Sequence, residues 1–121
     1  MKLNPTLVIG ASEKPDRYAY KAVQLLRSYG YEVIAFGNRI GKIGDVPIVT
    51  NWNTDWQADT VTLYINPKIQ EHYYQKILDL NPRRVIFNPG TENAEFETIL
   101  KERSVEVEEA CTLVMLSTGQ Y

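Results

Sequence analysis

The chain has 121 residues, of which 44% are hydrophobic and 23% charged, and its formal net charge is −2. This length and composition indicate one globular domain with a buried core, spanning residues 1–121. The small negative charge disfavours nucleic acid or an acidic membrane as a partner. No apolar run approaches the roughly 18 residues of a membrane-spanning helix, so we expect no membrane insertion.

The compartment is predicted from cysteine usage and from the first residues. The single Cys111 cannot form an internal disulfide, which favours a reducing compartment. The stretch MKLNPTLVIGA does not match a signal peptide, because Asn4 and Pro5 interrupt a short apolar region. We therefore expect a cytoplasmic protein.

Short apolar runs predict the strands. The central runs are continuous rather than alternating, as in strands that are buried on both faces. The predicted strands are residues 7–9, 32–36, 61–65, 84–87 and 105–107, with a shorter one at 47–49 inside the turn-rich stretch 37–58.

Helical patterns lie between these strands. The first repeats apolar residues along one stripe and ends at Gly30, a residue typical of the position after a helix. Further patterns predict a second helix that ends before Asn81-Pro82, a third that Thr91 caps, and a short fourth at 108–117. The predicted apolar faces are Tyr18, Ala22, Leu25, Leu26 and Tyr29 in the first helix, Ile69, Tyr73, Ile77 and Leu80 in the second, and Phe96, Ile99 and Leu100 in the third.

This alternation predicts an α/β fold. Strands that alternate with helices form parallel sheets with right-handed crossovers. We expect a doubly wound parallel sheet in a three-layer α/β/α arrangement, with strand order near 3-2-1-4-5 and room for a sixth strand. A ligand is expected outside the carboxyl ends of the strands that end at Gly10 and Ile65, where the strand order reverses.

The turn after the first strand has features of an anion site. Gly10 allows a sharp turn, while Ala11 and Ser12 are small enough for an anion to approach N–H groups at a helix start. Pro15 fits just before or inside the first helical turn, and Asp16 is a candidate N-cap. A plain strand-to-helix turn without a ligand explains this stretch equally well.

The end of the second strand favours a phosphorylated ribose. An NAD site expects an acid there, but the chain reads Phe36-Gly37-Asn38-Arg39, and Glu32 lies at the opposite end of the strand. Arg39 and Lys42 offer positive charge instead, which favours NADP or coenzyme A (CoA). The alternative is that both are solvated loop charges.

The turns after the next two strands are polar. Asn66 offers hydrogen bonds to a polar ligand chain, and Pro67 presents an apolar edge at the start of the next helix. The stretch FNPGTEN at 87–93 repeats this arrangement and is interpreted as a structural turn. Turn chemistry alone would also explain both segments.

Together these segments resemble the CoA-binding domain family. Its members are small stand-alone Rossmann-like bacterial proteins, similar to the N-terminal domain of the succinyl-CoA synthetase alpha subunit. The resemblance covers nearly the whole chain and rests on VIGASEKPDRYAYKAVQLLRSYGYEVIAF at 8–36, GNR at 37–39, INPK at 65–68, VIFNPGTEN at 85–93 and a late strand followed by Cys111. Many relatives have a Val-Asn-Pro-like turn at 37–39 and an Arg-Cys-Pro-like ending at 110–112, where this chain has GNR and ACT.

The resemblance also implies a set of CoA contacts. The phosphates or adenosine would meet the backbone of the first turn, with two further side chains shaping the pocket. The polar turn after the second strand would lie near the ribose and its phosphate, and the third turn beside the diphosphate or the pantetheine arm. The residues implied for the first turn and its pocket are Gly10, Ala11, Ser12, Pro15 and Tyr18. Those implied for the second turn are Gly37, Asn38 and Arg39, and those for the third are Asn66 and Pro67.

No set of catalytic residues is apparent. His72 is expected on a polar helix face in solvent, and no second His or Cys stands at metal-ligand spacing, so no metal is expected. The sequence therefore predicts a non-catalytic module for CoA or an acyl-CoA, with a homodimer or a partner enzyme left open. The alternatives are a small NADP-dependent reductase, a subunit of a two-chain CoA ligase, and a protein-interaction module without nucleotide, whose tail TLVMLSTGQY packs on a neighbour.

Overall fold

A computed structural model describes residues 5–121. Asn4, which was predicted to interrupt a short apolar region, lies outside the described part. The described chain alternates strands with helices as predicted. The strands are β1 (Thr6–Ile9), β2 (Val33–Phe36), β3 (Gly41–Ile43), β4 (Val46–Val49), β5 (Thr60–Leu63), β6 (Arg84–Phe87) and β7 (Glu106–Glu109). The helices are α1 (Tyr18–Ser28), α2 (Pro67–Gln70), α3 (Tyr74–Leu80), α4 (Ala94–Glu102) and α5 (Thr112–Ser117), with a 3₁₀ turn at Glu71–Tyr73 between α2 and α3.

The strands form one mixed sheet in the order β3-β4-β2-β1-β5-β6-β7. All neighbouring strands are parallel except β3, which runs antiparallel to β4 at the edge. The predicted order 3-2-1-4-5 with a sixth strand is confirmed, since it corresponds to β4-β2-β1-β5-β6-β7. The α/β Rossmann-like fold is likewise confirmed.

The edge strand β3 was not predicted. Its residues Gly41–Ile43 lie in the stretch interpreted as a loop, because only one of them is strongly apolar. Gly44 and Asp45 connect it to β4 in a two-residue hairpin turn, and Gly44 has φ +58°. Gly-Asp between two short strands is a recognised signal for such a turn and was overlooked.

The core lies on both faces of the sheet, because side chains along each strand alternate in direction. In β1, Leu7 and Ile9 pack with α3 and α4 on one face, and Val8 packs with α1 and α5 on the other. All residues of β1, β5 and β6 are buried, as the continuous apolar runs indicate. The predicted strand at 61–65 begins and ends earlier, because residues 64 and 65 already belong to the turn.

Two details predicted for the first helix are wrong. Its buried face is Ala19, Ala22, Val23 and Leu26, whereas Tyr18 and Tyr29 are 68% and 51% exposed at its two ends. Arg17, not Asp16, occupies the N-cap position, and no side chain caps the helix. The Arg17 N–H donates to the Lys14 oxygen at 3.1 Å and closes a turn. Asp16 lies inside this turn rather than at the helix start.

Asn93 caps α4, so the predicted cap at Thr91 is also wrong. The Asn93 side chain accepts from the Phe96 N–H at 3.2 Å, while the Thr91 hydroxyl donates to the Asn88 oxygen at 2.7 Å. The second predicted helix is divided into two segments, and Ile69 on its predicted apolar face is 43% exposed.

The short fourth helix, predicted at 108–117, is present as α5 but begins only at Thr112, because residues 108 and 109 belong to β7. It packs on the protein's own core. Met115 and Leu116 are buried, and the ring of Tyr121 lies 4.5 Å from the guanidinium carbon of Arg84. The tail is therefore largely used within the fold, which weakens the expectation that it packs on a neighbour. Val114 remains exposed.

Candidate functional site

A cleft of about 660 Å³ opens where the carboxyl ends of β1, β2 and β5 meet. This is the point where the strand order reverses, and the sequence analysis placed a ligand there. The cleft is lined by the turns that follow the three strands and by the start of α1. The lining residues are Ile9, Gly10, Ala11, Ser12, Glu13, Lys14, Arg17, Tyr18, Ala19, Phe36, Gly37, Asn38, Arg39, Tyr64, Ile65, Asn66, Ile69 and Tyr73.

The first turn has both engaged and unpaired amides. Gly10 has φ +96°, and a Cβ there would lie 2.9 Å from the Tyr64 backbone oxygen, so the position requires glycine. The N–H groups of Gly10 and Ala11 both donate to the Phe36 oxygen, at 2.9 and 3.0 Å. Within residues 5–121, the N–H groups of Ser12 and Glu13 have no hydrogen-bond partner. These two amides of the turn are therefore available to a ligand.

The second turn lies against the first. A Cβ at Gly37 would lie 2.3 Å from the Ala11 backbone oxygen, so only glycine allows this close approach. The Gly37 N–H donates to the Val49 oxygen at 3.0 Å, which ties the turn to β4. Asn38 and Arg39 follow, and both are exposed and line the cleft.

The third turn is held by side-chain hydrogen bonds. The Asn66 side chain accepts from the Ile69 N–H at 2.9 Å and caps α2, with Pro67 in the first turn of that helix. Gln70 is fully buried, and its Nε2 donates to the oxygens of Ile65 and Thr91 at 2.9 and 2.8 Å. This buried amide joins two neighbouring turns and fixes one wall of the cleft.

Charge in the cleft is mainly positive. Lys14, Arg17 and Arg39 line it together with one acid, Glu13. Arg39 was predicted from the sequence, whereas Lys14 and Arg17 were not, although both lie in the turn where an anion was expected. Lys42, which was also singled out from the sequence, does not line the cleft.

One wall of the cleft is aromatic. Phe36 packs edge-to-face on Tyr73, with ring centroids 5.6 Å apart, and both rings line the cleft. Trp52 packs on both of them, at 5.2 and 5.8 Å. Phe36 and Tyr73 therefore give this side of the cleft an apolar surface.

Tyr64 lines the cleft, and its hydroxyl is unusual. The hydroxyl is buried and has no hydrogen-bond partner among the described residues. Burial raises the pKa of Tyr64 to about 12, against an opposing influence of the nearby Thr112 and Thr62 hydroxyls. Those two hydroxyls bond to each other at 2.8 Å instead. The phenol therefore stays protonated at neutral pH.

The cleft gathers most of the residues that were singled out as cofactor contacts. Pro15 and Pro67 do not line it: Pro15 lies in the exposed turn before α1, and Pro67 starts α2. The other candidates line it, namely Gly10, Ala11, Ser12, Tyr18, Gly37, Asn38, Arg39 and Asn66.

The other residues considered for chemistry lie elsewhere. His72 is exposed in the 3₁₀ turn, and Cys111 precedes α5; neither lines the cleft. No group of three metal-ligating side chains occurs within residues 5–121. A second cavity, of about 550 Å³, lies near the amino ends of β2 and β4 and includes Glu32 and Trp56.

The strand order and the cleft at its reversal point define a Rossmann-like α/β fold. Residues 5–117 match the model of the CoA binding domain family, and the chain belongs to that family. Among the described residues, no helix is long and apolar enough to cross a membrane.

Solved structures with the same fold are similar over nearly the whole chain. One is a crystal structure of an uncharacterized protein that is 47% identical, with 98% of each chain covered and a TM-score of 0.94. The cell-free ID.343 protein from Thermus thermophilus is 24% identical, with 98% of this chain and 90% of that chain covered and a TM-score of 0.83. A hypothetical protein from Pyrococcus horikoshii OT3 is 21% identical, with coverages of 93% and 81% and a TM-score of 0.83. No curated protein matches the chain significantly.

Proposed function

We propose that the cleft binds CoA or an acyl-CoA, and that the chain acts as a binding module without catalytic chemistry of its own. The observation that carries this proposal is the group of three cations, Lys14, Arg17 and Arg39, around a cleft at the strand-order reversal. Phosphate groups favour such cationic side chains, which form charge-assisted hydrogen bonds with them, and unpaired backbone amides add further donors. Membership of the CoA-binding domain family supports the same ligand.

The residues present fit the parts of CoA. The cleft volume, about 660 Å³, lies within the usual range of small-molecule sites. The amides of Ser12 and Glu13 with Lys14 and Arg17 would hold the diphosphate. Arg39 would bind the phosphate on the ribose, and the aromatic wall would receive the apolar parts of the ligand.

The absence of catalysis is proposed from the groups that face the cleft. Neither His72 nor Cys111 lines it, which leaves no imidazole or thiol beside the ligand. The Tyr64 phenol, with a pKa of about 12, stays protonated at neutral pH and therefore does not serve as a general base. We further propose that the module works in the cytoplasm and passes CoA to a partner enzyme or a second copy of the chain.

Calorimetric titration with CoA, dephospho-CoA, NADP and NAD tests this function. We expect CoA to bind most tightly, because it alone combines the pantetheine arm with a phosphate on the ribose. Tighter binding of NADP would favour a reductase. Equal and weak responses to all four ligands would favour a protein-interaction module.

Two substitutions test the assigned role of Arg39. Arg39→Ala should weaken CoA binding by roughly 1–3 kcal/mol, the typical value of a charge-assisted hydrogen bond, and leave dephospho-CoA binding nearly unchanged. The matched control is Lys42→Ala, which removes an exposed cation three residues further on, in β3, that does not line the cleft. Equal losses in the two variants would contradict a specific contact.

A further inference from the structure

Glu13 is the one carboxylate among the described residues that line the cleft. It lies in the same turn as Lys14 and lines a cleft whose three other charged residues are cations. Cationic side chains attract anionic ligands, whereas a fixed carboxylate repels them. Its presence in a site for a polyanion therefore requires an explanation.

The Glu13 carboxylate is held in a defined place by β3. Its Oε2 accepts a hydrogen bond from the Lys42 backbone N–H at 3.1 Å. It also lies directly over Gly41, where a Cβ would be 2.8 Å from the carboxyl carbon and 2.9 and 3.0 Å from its two oxygens. The lack of a side chain at Gly41 thus makes room for the carboxylate.

We propose that Glu13 determines the charge selectivity of the cleft. Held against β3, its carboxylate repels each ligand in proportion to the ligand's negative charge and so limits how tightly polyanionic nucleotides bind. This inference rests on the proposed function, because it assumes that the cleft binds a nucleotide. The inference adds that Glu13 keeps the affinity of the cleft for nucleotides below the affinity that the cations alone would give.

A merely structural role for Glu13 makes a different prediction. If the carboxylate only fastened the turn to β3, an amide oxygen would serve equally well as the acceptor for the Lys42 N–H. Glu13→Gln keeps that acceptor and removes the charge. Gly41→Ala does the reverse, because the new Cβ displaces the carboxylate but leaves its charge on the chain.

The test compares CoA with dephospho-CoA by calorimetry. The extra phosphate of CoA adds a charge of about −1.5 to −2. At about 20 mM salt, Glu13→Gln should tighten CoA binding about fivefold and dephospho-CoA binding about twofold, and both gains should shrink at about 200 mM salt. Gly41→Ala should fall between the wild type and Glu13→Gln. The matched control, Asp16→Asn, removes a charge from the same turn outside the cleft lining and should change both affinities by less.

The outcomes separate this inference from the proposed function. Nucleotide binding by the wild type with the same affinities in Glu13→Gln would overturn the inference alone. Weaker binding in Glu13→Gln would also overturn it, since the carboxylate would then contribute a favourable contact. If neither protein binds CoA or dephospho-CoA, while circular dichroism shows both to be folded, the proposed function fails together with the inference.

Discussion

Replacing Gly37 by alanine would force apart the first two turns of the cleft. The new Cβ would lie 2.3 Å from the Ala11 backbone oxygen, whereas ordinary contacts begin at 3.4 Å, so the turns must separate by about 1 Å. The hydrogen bonds from the Gly10 and Ala11 N–H groups to the Phe36 oxygen, at 2.9 and 3.0 Å, cross this boundary. Losing both would cost about 2 kcal/mol, and the overpacking about 1–3 kcal/mol more. We therefore expect the free energy of unfolding to fall by about 3–5 kcal/mol.

Urea-induced unfolding, followed by tryptophan fluorescence, measures this loss. The two tryptophans, Trp52 and Trp56, pack with ring centroids 5.1 Å apart beside Phe36, so their emission should report on unfolding of this region. Gly41→Ala is the matched control, because the three atoms nearest to its Cβ all belong to the side chain of the exposed Glu13, which can move. We expect the control to lose less than about 1 kcal/mol. Similar losses in the two variants would refute the argument from close backbone approach.

Three further predictions concern stability. Tyr64→Phe removes a buried hydroxyl that has no partner among the described residues. The free energy of unfolding, measured by urea titration, should therefore stay unchanged or rise by up to about 1 kcal/mol. A decrease of about 1 kcal/mol would show that the hydroxyl is hydrogen-bonded. Hydrogen bonding from Arg83 holds the pKa of Asp59 below its ordinary value of 3.8, so this carboxylate stabilises the fold above that pH and ceases to do so as the pH falls through its lowered pKa. Asp59→Asn should therefore cost about 1 kcal/mol at neutral pH and much less at about pH 2, and an equal cost at both would contradict the pair's role. Gln70→Leu removes the donor from one buried and one partly buried hydrogen bond to carbonyl oxygens and should cost about 2–3 kcal/mol in thermal unfolding. A loss under about 0.5 kcal/mol would show that the wall of the cleft does not depend on this amide.

The fold could be predicted because its signals are local. Continuous apolar runs mark β1, β5 and β6 as strands buried on both faces, and the alternation with helical patterns fixes the parallel sheet. The strand order then follows from the handedness of the crossovers. The β3–β4 hairpin was missed because three residues, of which one is strongly apolar, carry little periodicity.

The cleft was predictable in place but only partly in composition. Turns at the carboxyl ends of β1, β2 and β5 converge in any sheet of this order, so residues such as Asn38, Arg39 and Asn66 could be named from sequence. The contact between Glu13 and Gly41 could not be predicted from the sequence, because it joins residues that are far apart in the chain and one of them lies in a strand that was not predicted. The predicted apolar face of α1 is displaced by about one residue from the buried face. Tyrosines at the two ends of the helix are exposed even though they continue its apolar periodicity.

Backbone amide resonances of the ¹⁵N-labelled chain, recorded during a CoA titration, test the central claim most directly. The claim is that CoA lies across the three turns at the carboxyl ends of β1, β2 and β5. The largest shift changes should then fall in residues 10–13, 37–39 and 64–66, with Ser12 and Glu13 among them because their N–H groups are unpaired within residues 5–121. Changes concentrated around the second cavity, at Glu32 and Trp56, or no change at saturating CoA, would contradict it.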